Sequence, residues 1–300
     1  MSIEVKSITK KYGNQIAVNN VSFKVNAGEI VGFLGPNGAG KSTTMKIICC
    51  YTASQAGDVF VNGISVKNNP IGIKKQLGYL AENNPLYEDM YIKEFLLFIA
   101  KIHKLKNPKR AVEEVISRVG LTAEKHKKIG QLSKGYQQRV GIAQAIIHDP
   151  EVLILDEPTS GLDPLQLEEI RSLIKTLGKN KTVLLSTHIM QEVESICDRI
   201  VVIKKGEIVA DQSIHETEDR MDEQFVSVEF DQEIKKQDLQ KFIGKEADIK
   251  KEGSTWLIAL KGKKDLRHLI SSYAKENNLL ILELKKETAK LEDLFKKLTK

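Results

Sequence analysis

A chain of 300 residues that is 41% apolar and 29% charged describes a globular protein with one large domain or two ordinary ones, and not a low-complexity or fibrous one. Its net charge of +6 is mild and spread out, residues 221–300 holding 17 Lys and Arg against 15 Asp and Glu, which argues against a dedicated polyanion-binding face; no nucleic-acid partner is expected. No apolar run approaches the ~20 residues of a membrane span, and the start Met1-Ser2-Ile3-Glu4 has no signal-peptide core, so the chain is expected to stay in the cytosol unless a partner tethers it.

The first thirty residues alternate apolar and polar, with Ile3, Val5 and Ile8 and then Val21, Phe23 and Val25. That period predicts a small antiparallel sheet. Glu29-Ile30-Val31-Gly32-Phe33-Leu34 reads as a buried strand, and Lys41 to Cys50 as a helix. Between them lies Gly35-Pro36-Asn37-Gly38-Ala39-Gly40-Lys41-Ser42, followed by Thr43. The pattern is a phosphate-binding loop. Its glycines let the backbone turn N–H groups toward an anion, Lys41 can reach the β- and γ-phosphates, and the Ser42 hydroxyl can take a Mg²⁺ position. The helix N-terminus would face the same phosphates.

Val59-Phe60-Val61 extends the antiparallel sheet, and Asn62-Gly63 is a tight-turn signal. Residues 83 to about 148 are mainly helical in pattern, and Leu86, Tyr87, Met90, Tyr91, Phe95 and Phe98 are expected mostly in the interior of that helical subdomain. Val152-Leu153-Ile154-Leu155 and Thr182-Val183-Leu184-Leu185 read as buried parallel strands. Asp156 ends the first of these, where a carboxylate can bind Mg²⁺ directly or through water. Glu157 follows it. Ile200-Val201-Val202-Ile203 with Lys205-Gly206 reads as a late hairpin strand. Cys49, Cys50 and Cys197 show no metal-ligand spacing and read as reduced, small hydrophobes.

A polar, acidic stretch then marks a change of character. The expected organisation is a first domain over 1–215, a linker over 216–223 and a C-terminal accessory or regulatory domain over 224–300. Within the last, strand, helix and hairpin patterns follow in the order β-α-β-β-α-β, a ferredoxin-like unit. A closing helix is expected from Thr288 to Leu298, with Leu291, Leu294, Phe295 and Leu298 on one face.

A phosphate loop alone suits a GTPase, a kinase, a recombinase or a motor. The segments Leu132-Ser133-Lys134-Gly135-Tyr136-Gln137-Gln138-Arg139 and Leu153-Ile154-Leu155-Asp156-Glu157-Pro158 decide among them. With them the chain resembles the ATP-binding subunits of ABC transporters over residues 1 to about 215. The resemblance implies an α/β fold, a P-loop NTPase cassette with a parallel core sheet, an antiparallel β subdomain and a helical subdomain. It implies ATP as substrate and Mg²⁺ as cofactor. It assigns Glu157 as the general base that polarises the attacking water, and His188, after Ser186-Thr187, as a hydrogen-bond partner of the γ-phosphate. Lys41 completes that catalytic set.

Ser133 and Gly135 match the family's Leu-Ser-Gly-Gly-Gln motif, with Lys134 in place of the first Gly and Tyr136 in place of the Gln. In the family this motif binds the γ-phosphate held by a second copy. Tyr12, in Lys10-Lys11-Tyr12-Gly13, stands where the family stacks an aromatic residue on adenine. Ser160-Gly161-Leu162-Asp163 resembles the loop that links the two sites of a dimer. Glu82 stands where the family usually has Gln, a Mg²⁺ ligand. The run Glu82-Asn83-Asn84-Pro85-Leu86-Tyr87 also resembles the cassette subunits of gliding-motility-associated transporters and, more loosely, the drug-efflux type. The implied partners are a second cassette and a separately encoded permease, with Tyr87 and Tyr91 as possible contacts to it, and the implied location is the inner face of the cell membrane. A soluble ABC-type ATPase acting on nucleic acid or the ribosome is the alternative, and no Asn-Lys-x-Asp sequence for reading guanine is present.

Overall fold

The computed structural model describes residues 2–214, 223–244, 247–261 and 266–288. They fall into two compact units, the first ending at Ile214. In the first, three fully buried strands set the frame: β3 (Ile30–Leu34), β7 (Val152–Asp156) and β8 (Thr182–Thr187). Near-continuous apolar runs of this kind need cover on both faces, which is the environment of a parallel sheet. They belong to a six-stranded sheet ordered β10-β9-β3-β8-β7-β6. Its other members are β6 (Leu77–Leu80), β9 (Arg199–Lys204) and β10 (Glu207–Ser213). β6, β7, β8, β3 and β9 run parallel, and β10 returns antiparallel through Lys205-Gly206.

The alternating N-terminal segments form the second sheet. β1 (Ile3–Tyr12), β2 (Gln15–Val25), β4 (Ala56–Val61) and β5 (Ile64–Ser65) pair antiparallel in the order β2-β1-β4-β5. Asn62 and Gly63 both take positive φ, 47° and 77°, as a two-residue hairpin turn requires. The two sheets bury one cluster between them, with Val5, Phe23, Val59, Phe33, Ile154 and Val201 as members. α1 (Lys41–Ile48) packs into that cluster through Met45, Ile47 and Ile48. It stops short of the expected Cys50, whose backbone turns left-handed at φ 57°.

The region expected to be helical from residue 83 contains α3 (Ile92–Ile102), α4 (Pro108–Arg118), a single 3₁₀ turn (Ile129–Gln131) and α5 (Lys134–Ile146). α2 (Pro70–Gln76) precedes it. Residues 83–91 are irregular instead of helical, with a turn at Glu88-Asp89 and an isolated bridge from Tyr91 to Lys128, and Pro85 within them lacks the N–H a helix interior needs. α6 (Pro164–Gly178) and α7 (Met190–Ile196) flank β8 in sequence. α6 is started by Asp163, whose side chain accepts from Gln166 N at 2.8 Å.

The second unit has its own core of Val226, Val228, Leu239, Ile249, Trp256, Ile258 and Ile270, among others. Its elements are β11 (Glu223–Phe230), α8 (Lys236–Ile243), β12 (Asp248–Glu252), β13 (Thr255–Lys261), α9 (Arg267–Glu276) and β14 (Ile281–Thr288). The sheet is antiparallel in the order β12-β13-β11-β14, the split βαβ arrangement. Thr288 is the last residue of β14, and the rest of the expected closing helix, like residues 216–222 of the expected linker, lies outside the described residues. Among the described residues no helix is long and apolar enough to cross a membrane.

Candidate functional site

The loop from Gly35 to Gly40 leaves the end of β3 and delivers the chain into α1. Gly40 sits at φ 108°, and a Cβ there would come within 2.4 Å of Ala17 O. No other residue type fits the turn that starts this helix. α1 has no side-chain cap, so its first N–H groups are free to face an anion. The loop is braced by Ala39 N donating to Pro36 O at 3.1 Å and by Gly206 N donating to Ala39 O at 2.9 Å.

Lys41 is 5% exposed. Its ammonium donates to Gly35 O at 2.7 Å and Pro36 O at 3.3 Å, and lies 3.1 Å from Glu157 Oε1. Glu157 Oε1 receives no directed hydrogen bond, so the Lys41 charge is its close partner. The other oxygen, Oε2, is 2.9 Å from His188 Nδ1. Glu157 therefore bridges the lysine of the loop and the histidine that follows β8. Its backbone is left-handed, φ 48°, a conformation that surrounding contacts must hold in a non-glycine residue. Ser186 supplies them: Glu157 N donates to Ser186 O at 3.2 Å and to Ser186 Oγ at 3.0 Å.

The neighbouring Asp156 is 1% exposed. Its Oδ1 accepts from Ser186 Oγ at 2.5 Å and from Ser42 Oγ at 3.2 Å. Burial pushes its carboxyl above the usual range, opposed by those two hydroxyl bonds. The structure thus gathers Lys41, Ser42, Asp156, Glu157 and His188 at the carboxyl ends of β3, β7 and β8, where open parallel sheets bind ligands.

Other predicted residues lie apart. Ser133 and Gly135 line a separate cavity of about 220 Å³ with Asp163 and Gln166. Ser133 is the N-cap of α5 but makes no capping bond with its side chain, and the hydroxyl is exposed. A Cβ at Gly135 would lie 2.7 Å from the Gln166 side chain, so this helix start packs closely on the start of α6. Glu82 lines a different cavity of about 390 Å³, together with Lys134, Glu157 and Ser160. Tyr12 is half-exposed at the end of β1, with the Lys10 ammonium 5.3 Å from its ring centre.

The ABC transporter family model matches residues 18–160. The uncharacterized ABC transporter ATP-binding protein YhcH of Bacillus subtilis (strain 168) is 35% identical over 309 residues, covering 99% of this chain and 95% of its own. The chain belongs to the ATP-binding subunits of ABC transporters. A second relative, the Nod factor export ATP-binding protein I of Burkholderia lata, is 36% identical over 219 residues, covering 71% of each chain. Among solved structures, the dimeric post-hydrolysis state of an ATP-binding cassette bound to ADP and Pi superposes with a TM-score of 0.65 at 28% identity, covering 71% of this chain and 98% of that one. The subunit is an ATPase with the cassette fold, and its partners are of the kind this family has, a second cassette and a membrane transporter component.

For this ATPase the donor set at Asp156 is informative. Ser42 Oγ and Asp156 Oδ1 are hard oxygen ligands 3.2 Å apart, and burial disfavours the charged form of this carboxylate. Among the described residues no group of three His, Cys, Asp or Glu side chains gathers to hold a metal. A Mg²⁺ at Ser42 and Asp156 therefore fits if phosphate oxygens and water supply the other ligands.

The interior expected for the apolar run after Glu82 is corrected by the structure. Phe95 is buried, whereas Tyr87, Tyr91 and Phe98 are exposed to 56%, 44% and 43%. Tyr87 packs edge-on against Phe95 and Phe98, with ring centres 5.9 and 6.2 Å apart. The helical period of α3 shows one apolar stripe but does not show whether another element covers all of it. Sequence reasoning also missed Ser186 as a shared partner of Asp156 and Glu157, although its place beside Thr187 and His188 at a strand end was a usable signal.

Proposed function

We propose that this ATPase works as a pair of copies closed head to tail on ATP, and that closure and hydrolysis drive a separately encoded export permease. The carrying observation is the bridge from the buried Lys41 and Glu157 to the exposed His188, beside Ser42 and Asp156. In this reading Gly35, Pro36, Asn37, Gly38, Ala39 and Gly40 wrap the phosphates with their backbone, Thr43 adds the next N–H of the helix, and Lys41 neutralises phosphate charge. Ser42 and Asp156 would hold Mg²⁺, which supplies further neutralisation of the phosphate oxygens. Tyr12 stacks on adenine.

Glu157 is the base that takes a proton from water attacking the γ-phosphate in this reading, its Oε1 being held by the Lys41 charge and not by a directed hydrogen bond, so that it is released when Lys41 turns to phosphate. His188 orients that carboxylate through Oε2 and reaches the γ-phosphate. Ser133 and Gly135 line a cavity that none of Lys41, Ser42, Asp156, Glu157 and His188 lines, which supports their service to the ATP of the second copy. Glu82 would supply a further oxygen ligand to Mg²⁺ and tie the site to the helical subdomain. The exposed pair Tyr87 and Tyr91 is the surface offered to the permease, which places the subunit on the inner face of the cell membrane. The export direction rests on relatives such as the Nod factor export subunit.

The second unit, with a core of its own, is assigned a regulatory role, the chain dividing at a linker over 216–223. Removing residues 221–300 should alter regulation while the first unit keeps basal hydrolysis; loss of that basal activity would overturn the assignment. The base is tested by E157Q, which is expected to keep ATP binding and to slow turnover by about 10²- to 10⁴-fold. Turnover near that of the unmodified chain would overturn the assignment.

A further inference from the structure

One buried carboxylate has no part in the reading above. Glu192, in the first turn of α7, is 1% exposed. Thr159 Oγ1 donates to its Oε1. Thr187 Oγ1 donates to its Oε2 at 2.5 Å. Both threonines are buried, at 3% and 0% exposed. Among the described residues no cation lies within 4.0 Å of the Glu192 carboxylate. Both threonine hydroxyl hydrogens are thus committed to the Glu192 oxygens. Thr187 Oγ1 in turn accepts from Ile189 N at 3.0 Å, which fixes the start of the turn into α7. Burying a carboxylate in this way is costly unless its lone pairs find donors, and here those donors come from two different loops.

The two loops are the ones that carry the hydrolytic groups. Thr159 lies two residues after Glu157, and Thr187 directly precedes His188. Glu157 is held in its left-handed conformation on the N–H side by Ser186. The Glu192–Thr159 bond holds the same loop on its other side. The 2.9 Å approach of His188 Nδ1 to Glu157 Oε2 depends on both loops keeping their register.

We propose that Glu192 is a positioning residue for ATP hydrolysis: one buried carboxylate clamps the loop of Glu157 to the loop of His188 through Thr159 and Thr187. The proposal rests on the roles given above to Glu157 and His188. Both Glu192 oxygens are taken up by the buried threonines, so Glu192 acts on the geometry of the catalytic groups and not on nucleotide affinity.

The test uses full-length chain with hydroxyl-deleting variants, since replacing Glu192 itself risks the fold. T159V and T187V should each lower kcat, by up to about 10²-fold for a displacement near 1 Å, while the Kd for ATP stays within about twofold. T159S and T187S restore the hydroxyl and should restore kcat. The proposal is overturned if kcat is unchanged in both valine variants, if serine fails to rescue, or if kcat and ATP affinity fall together. A failure of the underlying reading has a separate signature, since it would appear as rapid turnover in E157Q whatever the threonine variants do.

Discussion

The loop of Gly35–Ser42 and the start of α5 at Ser133–Gly135 are both glycine-containing helix starts, yet the molecule treats them differently. The first opens onto linked groups at the ends of three parallel strands and the start of α1, in which Lys41, Asp156, Glu157 and Ser186 are buried, Ser42 is half-buried and His188 is exposed. The second opens onto a cavity of about 220 Å³ that contains none of those groups and is lined by Asp163, Gln166 and Arg139. The proposed reading makes the first region the hydrolytic half and the second the half offered to another copy, where Ser133 is exposed and has no capping duty. On that reading, groups fixed at strand ends and groups left at a helix start divide the work between rigidity and access.

The comparison can be broken first at its rigid side. D156N removes the carboxylate that Ser42 and Ser186 address, and turnover should fall below detection while nucleotide binding persists; Mg²⁺-dependent hydrolysis in D156N would remove Asp156 from the site. The same variant has an opposite effect on folding. The Asp156 carboxyl is raised by burial, so its ionised form costs stability at neutral pH, and that cost disappears as pH falls through the raised titration range. D156N should therefore melt at a higher temperature than the unmodified chain near neutral pH, by about 2–4 °C for each kcal/mol relieved. The difference should narrow in acid, and thermal melts over pH check it.

A smaller effect is expected at Tyr12, which belongs to neither half. Y12A should weaken ATP binding by about 1–3 kcal/mol and Y12W should retain it, measured by nucleotide titration. Equal affinity in all three chains would leave Tyr12 as a surface residue. The smallest effect is expected at Glu82, which shares its cavity with Lys134 and Glu157 and so lies between the two regions. E82Q should change the Mg²⁺ dependence of turnover by a few fold. An unchanged Mg²⁺ titration, ATP turnover and transport would end the special role proposed for it.

Much of the fold was legible because its signals are local. The runs Ile30–Leu34 and Val152–Leu155 announce buried strands by composition, and Asn62-Gly63 and Lys205-Gly206 mark hairpins by the left-handed backbone they permit. In the second unit the strand and helix periods alternate clearly enough to give the order β-α-β-β-α-β. Legibility failed where a property depends on distant chain. The exposure of Tyr87 and Phe98 depends on what packs over α3, which no periodicity records. Glu192 meets Thr159 across 33 residues, and Ser186 meets Asp156 across 30, so neither partnership leaves a motif. The phosphate loop is contiguous and could be read directly. The clamp behind it is built from three segments and becomes visible only when they fold together.

The central claim is that Ser133 and Gly135 serve a second copy and not their own chain. The direct measurement is sedimentation of E157Q with and without S133R, each in ATP, alongside ATP binding to the monomer at low concentration. The account predicts that E157Q forms an ATP-dependent dimer, and that E157Q/S133R binds ATP as a monomer with unchanged affinity but does not dimerise. Dimerisation of the double variant equal to that of E157Q, or loss of ATP binding by its monomer, would contradict it.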